Sequence, residues 1–199
     1  MTLALHIFDT ATQVAVSKIA FWGGLLIQVE STAPALGAKK LMTLYLDFDG
    51  VLHPYCVYRT PNGLELRAEG YLFMHAPVLE TVLNSTPNQV DIVLSTTWAF
   101  HLGLEEAARQ LPPTIQSRVI GSTWEPAVEE YDPFSWRMLS RFDQIARHAA
   151  RHGISPWVAL DDDNDRWPED EYASLILCHR MLGLGVEATQ VELARKLAE

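Results

Sequence analysis

Several short apolar runs along the chain end abruptly in polar or acidic residues. Thr43 to Leu46, Val90 to Leu94 and Trp157 to Leu160 read as buried strands, Ser174 to Cys178 as a last strand, and Arg118 to Ile120 as a further short one. Between them lie segments of helical character: about Ala99 to Gln110, an amphipathic stretch running to about His152, and Glu187 to Leu197 with apolar Val191, Leu193, Ala194 and Leu197. Strands alternating with helices predict an α/β architecture, a Rossmann-like doubly wound parallel sheet with helices on both faces.

Two stretches fall outside that alternation. Between the first two strands, Pro61-Asn62-Gly63 is a turn signal flanked by Val57-Tyr58-Arg59 and Leu64-Glu65-Leu66, which predicts a β-hairpin flap. Neither there nor after the second strand is there room for a large cap, so the expected site is capless and open. Such a site suits the end of a polymer or a protein side chain better than a small metabolite that must be enclosed.

Residues 1–41 read as an N-terminal extension to a domain over 42–199, with Met42 as an alternative start. Within it, Thr12 to Val29 could form a helix or a strand pair, and Ser31 to Lys40 reads as a linker rich in Ala, Pro and Gly. Ile19 to Ile27 is too short to span a bilayer and is broken by Gly23 and Gly24, and only Lys18 supplies fixed positive charge upstream, so neither a signal nor an anchor is expected.

Composition narrows the class. The 199 residues suit one domain, and 48% hydrophobic content is enough for a full core. Cys56 and Cys178 are too few for a zinc motif or a disulfide framework, which favours a reducing cytoplasm. Fifteen basic against 25 acidic side chains give a net charge of −10, so the chain lacks the basic stripe of nonspecific nucleic-acid binding.

The chemistry concentrates at the strand ends. Tyr45-Leu46-Asp47-Phe48-Asp49-Gly50-Val51-Leu52 sets Asp47 at the carboxyl end of the first strand, where open α/β sheets hold ligands. Gly50 can take backbone angles closed to other residues and so return Asp49 to the same mouth. Two carboxylates there can divide nucleophilic and acid–base work. A calcium loop does not fit, because Val51 and Tyr58 stand where oxygen ligands are wanted.

The second strand ends in Ser95-Thr96-Thr97, hydroxyls able to hold an anion's oxygen or to cap the following helix. Arg137 and Arg141 both open the basic segment that follows. The fourth strand runs into Asp161-Asp162-Asp163, acids that repel one another unless a hard cation such as Mg²⁺ is present; Asp163 and Asp165 are expected to face solvent. Tyr55, Tyr58, Trp98 and Trp124 offer stacking surfaces for a base, with ordinary packing the commoner fate of each. His6, His53, His75, His101, His148, His152 and His179 show no ligand constellation and read as structural or solvated.

These motifs, in this order from Met42 to the C-terminus, resemble the haloacid dehalogenase (HAD) superfamily. Asp-Gly-Val-Leu-His-Pro, Val-Leu-Ser-Thr-Thr-Trp and Val-Ala-Leu-Asp-Asp-Asp look like the phosphatase-type domain of Swiss-army-knife RNA repair proteins. The resemblance implies a Mg²⁺-dependent phosphomonoester hydrolase with Asp47 as nucleophile, Asp49 as acid and base, and Ser95, with Thr96 beside it, on the phosphoryl oxygens. Arg141, which fits the family spacing better than Arg137, would offset charge. Asp162 with Asp47 and the backbone carbonyl of Asp49 would hold the metal, Asp161 being the second candidate. It also implies phosphorylated substrates, RNA or DNA ends among them, met through a local, end-directed contact and without a membrane. A catalytically silent binding module, a phosphotransferase and a dehalogenase are the alternatives on the same scaffold.

Overall fold

The computed structural model describes residues 18–22, 25–29, 41–61, 63–128 and 132–199. The chain divides into two units, Met1–Ala38 and Lys39–Glu199. In the first, β1 (Lys18–Trp22) and β2 (Leu25–Val29) pair antiparallel, with Trp22 opposite Leu25 and Lys18 opposite Val29. This is the strand pair rather than the helix; residues 12–17 and the expected linker over 31–40 lie outside the described residues.

The second unit is built on a five-stranded sheet. Its strands are β3 (Leu41–Leu46), β6 (Gln89–Leu94), β7 (Val119–Ser122), β8 (Trp157–Asp161) and β9 (Leu175–Leu177), all parallel, in the order β7-β6-β3-β8-β9. The chain lays strands down on one side of β3, then crosses to the other, so β3 and β8 flank the point where the winding reverses. Open α/β sheets hold ligands at the strands' carboxyl ends at such a point.

Because side chains alternate across a strand, the central strands feed two cores. Leu44 and Leu46, with Ile92, Leu94, Val158 and Leu160, face one side and pack with α1 (Ala76–Ser85), α3 (Leu104–Arg109) and α7 (Glu187–Leu197). Tyr45, Val93 and Ala159 face the other and pack with Ile145 and Ala149 of α6 (Arg141–His152). Leu44, Leu46, Ile92 and Leu160 are fully buried, each contributing roughly 2 kcal/mol by removal from water.

Several boundaries differ from the sequence pattern. The helix expected over 99–110 is two helices, α2 (Thr97–Leu102) and α3, because Gly103 at φ +84° breaks the helical path between them. α1 lacks acidic residues in its first turn and basic residues in its last, and it was not legible from pattern alone. The basic segment also splits, into α5 (Pro133–Met138) and α6, and Pro113–Gln116 forms the short α4. The predicted flap is present: β4 (Val57–Thr60) and β5 (Gly63–Leu66) pair antiparallel, closed by Thr60 opposite Gly63. Among the described residues no helix is long and apolar enough to cross a membrane.

Candidate active site

Asp47 leaves β3 with its N–H donating to Leu160 O of β8 at 3.1 Å, and Asp161 ends β8 beside it. The sheet register therefore places two carboxylates side by side. Asp162 follows, and one carboxylate oxygen from each of Asp47, Asp161 and Asp162 lies within 4.8 Å of the other two.

Gly50 makes this crowding possible. It sits at φ +75°, and a Cβ there would stand 2.6 Å from Asp162 Cγ. Its N–H donates to His53 O at 2.9 Å, closing a tight turn after the strand. Any side chain at position 50 would push Asp162 out of the cluster.

Arg141, the first residue of α6, reaches into this bed. Ser140 caps the helix, accepting from the Asp143 N–H at 3.1 Å, and Gly153 ends it in the left-handed conformation. Arg141 Nη2 lies 3.4 Å from Asp47 Oδ2, and Nε lies 2.9 Å from Asp161 Oδ2 without hydrogen-bond alignment. Arg137 does not join it: its guanidinium stands over the Phe100 ring, 5.8 Å from the centroid. A cation not read from sequence, Arg180, follows β9 and places Nε 3.1 Å from Asp162 Oδ2. Nothing in the local pattern around Arg180 marks it, since its place depends on the loop after β9 folding back across the cluster.

Burial governs the electrostatics. Asp47 is held well above the usual carboxylate range because it is removed from water; Arg141 pulls it down and Asp161, Asp49 and Asp162 push it up. Asp161 is pushed up to about 7 by the same burial, although Arg141 touches it, and Asp162 is raised against the opposing pull of Arg180. Arg141 stays protonated, its pKa raised by Asp161 and Asp47 despite burial. Carboxylates that burial drives toward protonation are the signature of missing positive charge.

The donor set fits a hard divalent ion. It is all oxygen, and Asp161 Oδ2 and Asp162 Oδ2 are buried without a hydrogen-bond donor. Asp163 is half-buried and its N–H donates to Asp161 Oδ1 at 3.0 Å, while Asp165 is exposed.

Asp49 lives in different surroundings. His53 Nε2 donates to its Oδ1 at 3.1 Å and Trp98 Nε1 donates to its Oδ2 at 3.0 Å, so both oxygens are fixed. The His53 ring is itself oriented: the Phe73 N–H donates to Nδ1 at 3.2 Å, which leaves the ring proton on Nε2. Phe73 takes φ +61° to present that N–H, a left-handed backbone costing of order 1 kcal/mol for a non-glycine residue. His53 is fully buried. It was read as structural or solvated; the turn at Gly50 instead brings it to Asp49.

Trp98 has the ordinary packing expected as the commoner fate, 5% exposed and edge-packed on Phe48 and Phe73, and it is a hydrogen-bond donor as well. His148 and His152 do share a cluster, with Glu125: their rings stand 4.5 Å apart, His152 Nε2 is 2.7 Å from Glu125 Oε1, and the Tyr45 hydroxyl meets His148 Nδ1 at 2.9 Å.

Of the hydroxyls, Ser95 is fully buried and its Oγ has no hydrogen-bond partner among the described residues, while its N–H donates to Leu46 O at 2.8 Å. Thr96 is spent differently, its Oγ1 accepting from the Trp98 N–H as the cap of α2, and Thr97 lines the cleft in its place. That cleft has a volume of about 420 Å³ and is walled by Asp47, Asp49, Arg141, Asp162 and Arg180, with Tyr55 of the flap side at its mouth.

A doubly wound sheet with paired aspartates at the switch point, a buried arginine and a second acidic strand end defines a HAD-type domain. The chain belongs to the family described as the HAD domain in Swiss Army Knife RNA repair proteins, whose model matches residues 43–189. The family points to a phosphatase-type hydrolase. No curated protein and no solved structure matches the chain.

Proposed function

We propose that the domain hydrolyses phosphomonoesters through an aspartyl-phosphate formed on Asp47, with nucleic-acid ends as the substrate. The observation that carries this reading is the division of surroundings between Asp47, set among cations and acids, and Asp49, clamped through both oxygens. The open cleft and the family's description support the choice of a macromolecular end.

In this mechanism Asp47 attacks phosphorus in line and the ester oxygen leaves on the opposite side. Arg141 lowers the Asp47 pKa toward the ionised form that attack requires and offsets charge on the transferring group. The unpartnered Ser95 Oγ is available to donate to a phosphoryl oxygen. Asp49 protonates the leaving oxygen, then takes a proton from the water that hydrolyses the aspartyl-phosphate. His53 and Trp98 hold its carboxyl in place through both steps, and Arg180 offsets charge on Asp162 Oδ2.

Asp47, Asp162 and the backbone carbonyl of Asp49 would hold Mg²⁺, with Asp161 alongside. Bound there, the ion neutralises charge shared by the carboxylates and the substrate phosphate.

Asp47→Asn tests the reading. With Mg²⁺ and an aryl phosphate, kcat should fall by at least about 10⁴-fold, as removal of a covalent nucleophile does. Full activity in that variant contradicts the assignment.

A further inference from the structure

A second cleft, about 310 Å³, is lined by Asp49 but by none of Asp47, Asp161 and Asp162. The flap supplies Val57 and Leu64, and α2 supplies Trp98 and Leu102, so its walls are mostly apolar. Asp49, Val57 and Thr97 line both clefts, which makes the two continuous around the Asp49 carboxyl.

The rim is basic. Arg59 of β4 and His101 of α2 line the cleft, and neither Arg59 nor Arg137 forms an ion pair with any described residue. Arg137 stands over Phe100, the neighbour of His101. Burial lowers the His101 pKa, and the charges of Arg137 and Arg59 lower it further. In a chain of net charge −10, a guanidinium lining a cleft with no ion-pair partner among the described residues is a local exception.

Resting on the phosphatase reading, we propose that this cleft is the leaving-group subsite. It takes the nucleoside that carries the scissile phosphate, while Arg59 meets the next phosphodiester of a polynucleotide. The geometry of proton donation requires this direction. If Asp49 protonates the leaving oxygen, whatever that oxygen is attached to extends past Asp49, away from Asp47, and into this space.

The chemistry of the lining selects the class. A polynucleotide end alternates flat apolar rings with single negative charges, and a cleft with apolar Val57, Leu64 and Leu102 on its walls and the Arg59 guanidinium beside them matches that alternation. The overall charge of the chain then limits binding to these few contacts at an end.

The test compares kcat/KM, with Mg²⁺, for mononucleotides and for dinucleotides carrying a terminal 5′- or 3′-phosphate, alongside a phosphoserine peptide. One of the dinucleotides should exceed its mononucleotide by about tenfold, the size of one charge-assisted contact. Arg59→Gln should remove most of that ratio and weaken its salt dependence, with Arg59→Lys restoring part of it. Arg109→Gln, at a solvated site paired to Glu105 and Glu106, should leave the ratio at the wild-type value. Turnover without a dinucleotide preference, a ratio insensitive to Arg59, or a preference for the peptide overturns the subsite alone. Absence of turnover on every phosphomonoester overturns the phosphatase reading and the subsite with it.

Discussion

Asp47 and Asp49 are one residue apart in sequence and occupy opposite chemical environments. The Asp47 side is a bed of buried acids relieved by Arg141 and Arg180; its oxygens face charges. The Asp49 side is a cage of neutral donors, an imidazole and an indole held by packed aromatic rings, and it is 20% exposed. Burial drives the Asp47 carboxyl toward its neutral form and Arg141 opposes it, so Asp47 answers to the charge around it, while Asp49 is oriented by two neutral donors. The difference teaches that a sequence motif places acids at a site, and their neighbours from other elements assign them distinct work.

The sharpest way to break that comparison is Asp49→Asn. Loss of the acid and base should lower turnover of alkyl phosphates by roughly 10²–10⁴-fold. Aryl phosphates, whose leaving groups need little protonation, should lose less in the first step, measured as the burst of phenolate in rapid-mix kinetics. Equal losses for both leaving groups would remove Asp49 from proton transfer.

A smaller effect is expected from His53→Ala. Leaving the partly buried Asp49 without its Oδ1 donor should reduce kcat about tenfold, in line with a lost hydrogen bond, with KM for a small aryl phosphate little changed. His53→Gln, which can donate from its amide, should recover part of the loss. An unchanged kcat in His53→Ala would show that the cage does not position Asp49.

The smallest effect concerns stability on the Asp47 side. Burial pushes Asp161 up to about 7, so the folded chain without a divalent ion keeps a proton that the unfolded chain has released at an ordinary carboxylate pKa near 4. This contribution is fully present below about pH 4 and is lost as pH rises through about 7. In EDTA, the Tm of the wild type relative to Asp161→Asn should therefore fall by a few degrees between about pH 5 and 8. Mg²⁺ should raise the wild-type Tm more at the upper pH than at the lower. A relative Tm that rises over this window would contradict the burial account.

Much of the fold was legible because buried strands announce themselves as apolar runs, and the acids at their ends mark the ligand-facing edge. Asp47 and Asp161 come side by side through strand register, since Leu46 pairs with Leu160, and Asp162 joins them where Gly50 leaves room. What sequence did not offer were contacts made by folding back. His53 meets Asp49 only because Gly50 turns at positive φ, Trp98 points inward from α2, and Arg180 arrives from the loop after β9. Family spacing favours Arg141 over Arg137, and the physical reason is that Leu139 and Ser140 end one helix and cap the next, which the local pattern does not show. Residues spaced by a period leave a pattern, whereas a single residue placed by a turn leaves none.

The most direct measurement of the divided roles is intact-protein mass spectrometry of Asp49→Asn quenched in acid during turnover of an aryl phosphate with Mg²⁺. Nucleophilic attack by Asp47 should proceed while hydrolysis stalls for want of a base, so the protein should gain one phosphoryl group. Peptide mapping should locate it on Asp47, and the adduct should be absent from the Asp47→Asn/Asp49→Asn double variant. A phosphoryl group mapped to any other residue, or an adduct that persists in the double variant, would contradict the account.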